Sequence, residues 1–388
     1  MTTTTVSLYV APETTFGSDP DADGSDYLAC QITGKPLVQT ALQVVESGYA
    51  TGRNRRQVYL VGRDGASLST EHPLISLASV ASDGTAPPSA DWLDAIISAA
   101  LGSATSKSGE GLASGGTTTS VVMDTDAFDV DELLCVNHAS NSEWRPITAD
   151  AGGGTYTVSP ALDAAPNAAR DALGYRYWAQ TDTPGATITA YTELGGTGYR
   201  LSGGRPGLSL EMAAGAETMK LSAAWAFDSK SRESKASLPA ISQFANTPIK
   251  AVLSPVHWGS TKVSCKNVKL NFNLSPTDIL STAGTNGRAS IDNLMAMPTI
   301  EIEPAFSTSI EDDFAAGTER SLIIQFGSGV LGGGRANTWC FYARSAQVIA
   351  VQPVDDGNYL RQRVTLAVTD PGIRTGSTPY RGWILARA

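Results

Sequence analysis

The chain has 388 residues, enough for two or three compact units rather than one small core. Charged residues make up 17% of it, below the roughly 25% of an ordinary soluble domain, and 38 glycines and 20 prolines punctuate it, which suits short strands joined by turns and disfavours coiled coils and helical repeats. The formal net charge of −10 is uneven, −12 over residues 1–180 and +2 over residues 181–388, and the acidic half argues against a duplex-DNA binder, since that would gather Lys and Arg against phosphates.

The first thirty residues read as an N-terminal arm (1–30). Val6-Ser-Leu-Tyr-Val10 can pair as a short strand, and the acidic turn from Asp19 to Gly24 follows. The turn imitates the opening of a calcium loop, but the twelfth loop position is Cys30, not Glu, and no helical pattern flanks it. It is read as a solvated loop. Leu37–Val45 and Gln57–Val61 read as strands flanking Arg53, Arg55 and Arg56, the densest basic cluster in the chain, whose functional reading is a bridge to acidic surface on a neighbouring subunit. Asp91–Leu101 reads as a helix: Leu93, Ile96, Ile97, Ala100 and Leu101 share one face, Ser89 can cap its start and Gly102 its exit. Ser103–Thr119 is rich in Gly, Ser and Thr and is expected to be a linker or loop.

Residues 117–180 read as a small inserted β unit of five short strands, beginning at Ser120, Leu133, Trp144, Thr155 and Tyr175. Their spacing suits a small barrel without excluding a sandwich. From 181 onward, strict period-two alternation dominates, as in Met219–Phe227, Asn267–Leu274, Thr299–Glu303 and Tyr359–Val368. One buried and one wet face per strand is antiparallel-sheet behaviour.

Candidate chemistry is sparse. Gly327-Ser-Gly-Val-Leu-Gly332 imitates a dinucleotide fingerprint, but it leads into the strand pattern Thr338–Tyr342, where pyrophosphate binding needs a helix, so it is read as a glycine-rich hairpin. Glu301 and Glu303 share a strand face, and a wet sheet surface outweighs a glycosidase pair. Cys30, Cys135, Cys265 and Cys340 form no C-x-x-C pair, and His72, His138 and His257 lack metal-ligand spacing. No cofactor, metal or enzymatic activity is expected. No apolar run approaches the roughly 20 residues of a membrane-spanning helix. With no signal-peptide pattern at Met1-Thr-Thr-Thr-Thr-Val-Ser, synthesis in the cytoplasm is expected.

Tyr199–Gly204, the strand pair Leu208–Gly215 and Thr218–Phe227, Lys262–Phe272, Pro298–Glu303, the glycine-rich hairpin with Asn337–Ala343, and Ala346–Ala350 together resemble the tail tube (major tail) proteins of long-tailed bacteriophages. Phe128–Glu132, Trp144–Ile147 and Thr157–Leu162 resemble the small β unit inserted in many of them. The resemblance implies a mainly β tail-tube sandwich or barrel core with one or two short helices, discontinuous over 31–116 and 181–371, an exterior insert over 117–180, and a C-terminal tail over 372–388. It further implies hexameric rings stacked into a tube in the virion. Through that tube phage DNA passes without specific binding, and tail terminator, tape measure and baseplate or tip proteins are the expected partners. On this reading Glu301, Glu303, Lys269, Asn271 and Asn273 are the candidate lumen-facing residues, and Arg53, Arg55 and Arg56 the candidate inter-ring loop. A head decoration or sheath-like component, or a carbohydrate-binding adhesin module, are the alternatives.

Overall fold

The computed structural model describes residues 7–21, 23–33, 37–46, 59–75, 90–138, 141–179, 185–194, 196–213, 219–239, 249, 255–280, 288–295, 297–330, 336–357, 360–369 and 382–388. Among the described residues the protein is mainly β, with two helices and a curled half-barrel sheet. Eight strands carry that sheet: β1 (Leu37–Glu46), β2 (Tyr59–Pro73), β3 (Thr197–Ala213), β4 (Lys220–Phe227), β5 (Cys265–Asn271), β6 (Thr299–Pro304), β7 (Ala336–Asp355) and β8 (Leu360–Val368). They pair in the spatial order β1-β2-β4-β3-β5-β6-β8-β7, antiparallel at every step.

Period-two patterning decides which way each strand faces. Leu68, Leu210, Leu221, Trp225, Leu270, Ile300, Ile302, Val364 and Leu366 all turn to one side and are buried there. Each such side chain contributes about 1.5–3 kcal/mol relative to exposure, so slipping any strand by one residue would bring its polar set inward.

A second layer covers that dry face. β7 is long enough to serve both layers: residues 346–355 pair with β8, while 339–343 pair with Trp383–Arg387 and 336–347 with Glu319–Val330. Trp383–Arg387 in turn pairs with Tyr175–Ala179, and that strand with Thr105–Lys107. Aromatic side chains fill the gap between layers, with Trp178 stacked on Trp339 at 6.0 Å and Phe272 tilted against Trp383 at 5.4 Å. The sequence reading grouped Tyr175–Ala179 with the small unit; its hydrogen bonds place it in this second layer instead, because its partner lies at the far end of the chain.

Helix α1 (Trp92–Leu101) closes one end of the core. Its N-cap is Asp91, whose side chain accepts from the N–H of Leu93 and of Asp94, while the Asp94 carboxylate accepts from the N–H of Asp91. This reciprocal cap replaces the expected role of Ser89, which lies outside the described residues. Arg387, fully buried, forks onto the same two carboxylates at 2.7 and 3.0 Å and lies over the Trp339 ring. The last strand is thereby clamped to the helix start. Burial pushes the Asp91 carboxyl up, but the adjacent guanidinium outweighs it and holds the group below the usual carboxylate range.

Residues 7–21 and 23–30 lie in the body. Ser7–Pro12 pairs with Ile188–Leu194 and with Leu28–Cys30, and Leu8 and Val10 are fully buried. The acidic turn is tied down by cations: Asp19 pairs with Arg200 at 3.1 Å and with Lys235, while Asp21 and Asp23 each accept backbone N–H groups of their own turn. Segment 103–119, expected as a linker, contributes the strands Thr105–Lys107 and Glu110–Gly111, since backbone pairing is available to Ser, Thr and Gly whatever their propensity.

Glu110–Gly111 begins a six-stranded unit, ordered Glu110–Gly111, Asp171–Ala172, Leu133–Asn137, Ser142–Asp150, Thr155–Val158 and Ser120–Val122. A bridge from Leu112 to Met123 joins its two ends, so the sheet closes into a small barrel. Its core is continuous with the body through Ile323, Cys340, Tyr342, Ile384 and Ala386. A polar latch fixes the join: Trp144 donates from its indole to Thr338 Oγ1 at 3.0 Å, and Gln325 donates to the Ser142 carbonyl at 2.7 Å.

Candidate functional site

The broadest surface the sequence marks as functional is the polar face of the eight-stranded sheet. Cross-strand register brings its side chains into rows. One row runs Lys220, Glu211, Lys269, Glu301, Thr365 across β4, β3, β5, β6 and β8. The neighbouring row runs Glu71, Ser222, Ser209, Asn271, Thr299, Ala367, Gln347 from β2 to β7. Glu211, Lys269, Asn271 and Glu301 are exposed. The face is concave where β2, β4, β3 and β5 meet, around a hollow of about 600 Å³ lined by Glu71, Ser209, Ser222, Lys269 and Asn271.

Charge alternates along the first row, so each carboxylate faces an ammonium directly across the strands, the arrangement that stabilises rather than strains a sheet. Beyond it Glu303 pairs with Arg363 at 2.9 Å, and Lys220 reaches back to Glu71 at 3.3 Å. Four carboxylates (Glu71, Glu211, Glu301, Glu303) are thus interleaved with three cations (Lys220, Lys269, Arg363). The sequence reading picked Glu301 and Glu303 as an acidic pair; the geometry brings them to one face and gives each a cationic neighbour. Polyanion binding draws on clusters of unneutralised Lys and Arg. Here every cation of the rows stands beside a carboxylate, and the rest is Ser, Thr, Asn and Gln.

Asn271 lies in the second row as expected. Asn273 follows the end of β5 in a left-handed conformation at φ 51°, which Asn tolerates better than most residues. Its amide donates to the Met297 carbonyl at 2.8 Å and to Thr299 Oγ1 at 3.2 Å, fixing the exit from β5 against the start of β6. Arg53, Arg55 and Arg56 lie outside the described residues. Sequence reasoning missed Glu211, Lys220 and Arg363. Each stands at an outward position of an alternating strand, so the face was readable; its partner across the sheet depended on strand order and was not.

Cys30, Cys135 and Cys340 are buried, and burial pushes their thiols up. Among the described residues no group of three or more His, Cys, Asp or Glu side chains is arranged to hold a metal ion. No helix among them is long and apolar enough to cross a membrane.

Two layers of antiparallel strands around a core rich in aromatic side chains, carrying a wide, hollowed, charge-interleaved wall, define a two-layered antiparallel β protein. The model of the phage tail tube protein family matches residues 3–365, nearly the whole chain, and the chain belongs to that family. It is a structural component of a virion. No curated protein matches it.

Proposed function

We propose that this chain assembles into hexameric rings, stacked into the tail tube, and that the polar face of its curled sheet lines the bore through which the genome leaves the particle. The observation that carries this reading is the interleaved charge of that face. Among the described residues, a duplex sliding past it meets no cluster of free cations to hold its phosphates and no unbroken acidic wall to oppose its entry. Lys269, Asn271, Glu301 and Glu303 are the bore-facing residues on this account, and Asn273 shapes the wall without reaching far into it. The small barrel sits on the tube exterior, and Arg53, Arg55 and Arg56 supply an inter-ring loop. Tail terminator, tape measure and baseplate or tip proteins meet the tube at its ends and within it.

Electron microscopy of the purified, concentrated protein tests the proposal. Tubes or six-fold rings with an open channel are expected, and in a density map Lys269 and Glu301 should border that channel. Particles that stay single under all assembly conditions, or tubes whose channel is lined by the small barrel, would overturn it.

A further inference from the structure

Lys235 follows the strand Ser229–Arg232, which pairs with residues 199–202 of β3. Its side chain is wholly withdrawn from solvent, and its ammonium sits in more than a simple ion pair. Nζ contacts Asp19 Oδ2 directly, donates to the Asp21 carbonyl at 2.8 Å, meets Glu233 Oε1 at 2.9 Å and lies over the Tyr27 ring at 5.5 Å. Arg200 Nη1 bridges the same two carboxylates, 3.1 Å from Asp19 Oδ2 and 2.9 Å from Glu233 Oε2. Tyr27, buried edge-on against Tyr191, donates its hydroxyl to the other Asp19 oxygen, Oδ1, at 2.9 Å. An amine touching a carboxyl group, with a second carboxylate on the amine and a hydroxyl on the carboxyl, is the set of atoms that amide formation needs.

Both partners are held in place by the backbone around them. Asp19 Oδ1 also accepts the N–H of Asp21 at 3.2 Å. The N–H of Glu233 donates to the Gly198 carbonyl at 3.2 Å and that of Ser237 to the Asp23 carbonyl at 3.0 Å, so Lys235 is anchored on either side. Its stem packs so closely on the acidic turn that a Cβ on Gly24 would stand 3.0 Å from the Lys235 Cβ. Two groups fixed in this way react as though each were present at about 10⁵ M or more. Burial pushes the Asp19 carboxyl up and the Lys235 ammonium down, toward neutral acid and free amine, but the hydrogen bonds among them outweigh it, and the resting pair is ionic. One proton moved within the cluster separates that pair from a reactive one.

We propose that Lys235 and Asp19 condense into an intramolecular isopeptide bond, with Glu233 as the proton carrier. One proton passes from Nζ through Glu233 to Asp19 Oδ2, leaving a neutral amine beside a neutral acid. The Nζ lone pair then attacks Asp19 Cγ and forms the C–N bond, while the Tyr27 hydroxyl stabilises the charge that gathers on Oδ1. A second proton follows from the nitrogen to Oδ2, the Cγ–Oδ2 bond breaks, and water leaves. Ammonium and carboxylate have become amide and water, and Glu233 ends as the carboxylate it began. The link joins positions 216 apart in the chain. It fixes the turn after Ser7–Pro12 to the body through a bond that neither salt nor mild acid breaks, whereas both weaken ion pairs.

Mass spectrometry of the intact, denatured full chain tests the bond. Most molecules should be lighter than the sequence mass by one water. Trypsin should then release a branched peptide in which the segment carrying Asp19 is joined to one carrying an uncleaved Lys235. A parent chain at its full sequence mass overturns the bond, and so does a one-water loss that maps to Asp23-Gly24, where a succinimide would form instead. Lys235→Arg keeps a cation at the site but supplies no primary amine, and it should stay at full mass; a one-water loss in that variant overturns the assignment. Glu233→Gln keeps the side chain's shape and removes the proton carrier. In freshly synthesised protein its linked fraction should rise about 100-fold more slowly than the parent's, and an equal rate overturns the role of Glu233. Should either variant fail to fold, the mass and the branched peptide of the parent still decide the bond.

Discussion

His257 shows how a single buried group ties this protein's stability to pH. It is buried on the strand Val256–Trp258, and neither ring nitrogen has a hydrogen-bond partner among the described residues. Burial pushes its pKa down to about 4, with Arg145 and Lys262 adding to the shift against the opposing pull of Asp163. His72, also fully buried, is pushed down to about 4 by burial, its bond to the Gln31 carbonyl opposing the shift. Both folded values lie below the ordinary 6.5, so the unfolded chain takes up protons first. The contribution of each neutral histidine is complete above pH 6.5 and is lost as pH falls toward 4, with a slope approaching about 1.4 kcal/mol per pH unit for each. His257→Gln should remove about half of the histidine-dependent loss over that window. Urea midpoints measured at pH 4.5 and pH 7 for both proteins check this; an unchanged difference between the two pH values would show that His257 titrates normally. Lys262 stands across a local hairpin from His257, but nothing in the nearby sequence announces Arg145, which reaches the ring only through the fold.

At the scale of elements, the docking of α1 is set by one close backbone approach. A Cβ on Gly185 would stand 1.9 Å from the Ser98 carbonyl oxygen, so only glycine lets this segment pass over the helix. Arg205 of β3 fastens the same junction, donating to the Ala99 carbonyl at 2.9 Å and to the Gly185 carbonyl at 2.6 Å. Gly185→Ala must push α1 away from both bonds, and we expect it to lower stability by about 2 kcal/mol, within the range for overpacking a core. Chemical denaturation should show a lower midpoint with an unchanged slope; an unaltered midpoint would mean that the helix is free to shift. The helix itself was legible in the sequence, because its apolar face repeats at 3.6 residues and its cap lies within reach of local residues. So were the alternating strands, whose period-two pattern is a local property. What escaped was non-local: Tyr175–Ala179 looks like its neighbours in sequence but pairs with Trp383–Arg387, and the strand order that sets Glu211 against Lys269 leaves no trace in either segment alone.

For the whole molecule, the decisive property is how charge is distributed over the concave wall rather than how much of it there is. Glu211 and Glu301 separate Lys220 from Lys269 and bound Lys269 on its far side. Replacing both with Lys converts the row into four adjacent ammonium groups, Lys220, position 211, Lys269 and position 301, without touching the buried face. Like charges directly opposite cost about 0.2–1 kcal/mol per pair, too little to undo a sheet held by its apolar side, so tubes should still form. Their interior would then hold phosphates by releasing condensed counterions, an attraction that weakens steeply with salt. Phage carrying Glu211→Lys with Glu301→Lys should eject DNA several-fold more slowly at low ionic strength and recover as salt is raised. The matched Glu211→Gln and Glu301→Gln pair, which removes the interleaving carboxylates without adding cations, should fall between that variant and the parent. Time-resolved dye fluorescence of released DNA, recorded over a salt series for all three, separates the steps. Equal ejection rates in particles with normal tubes would place this wall away from the genome's path.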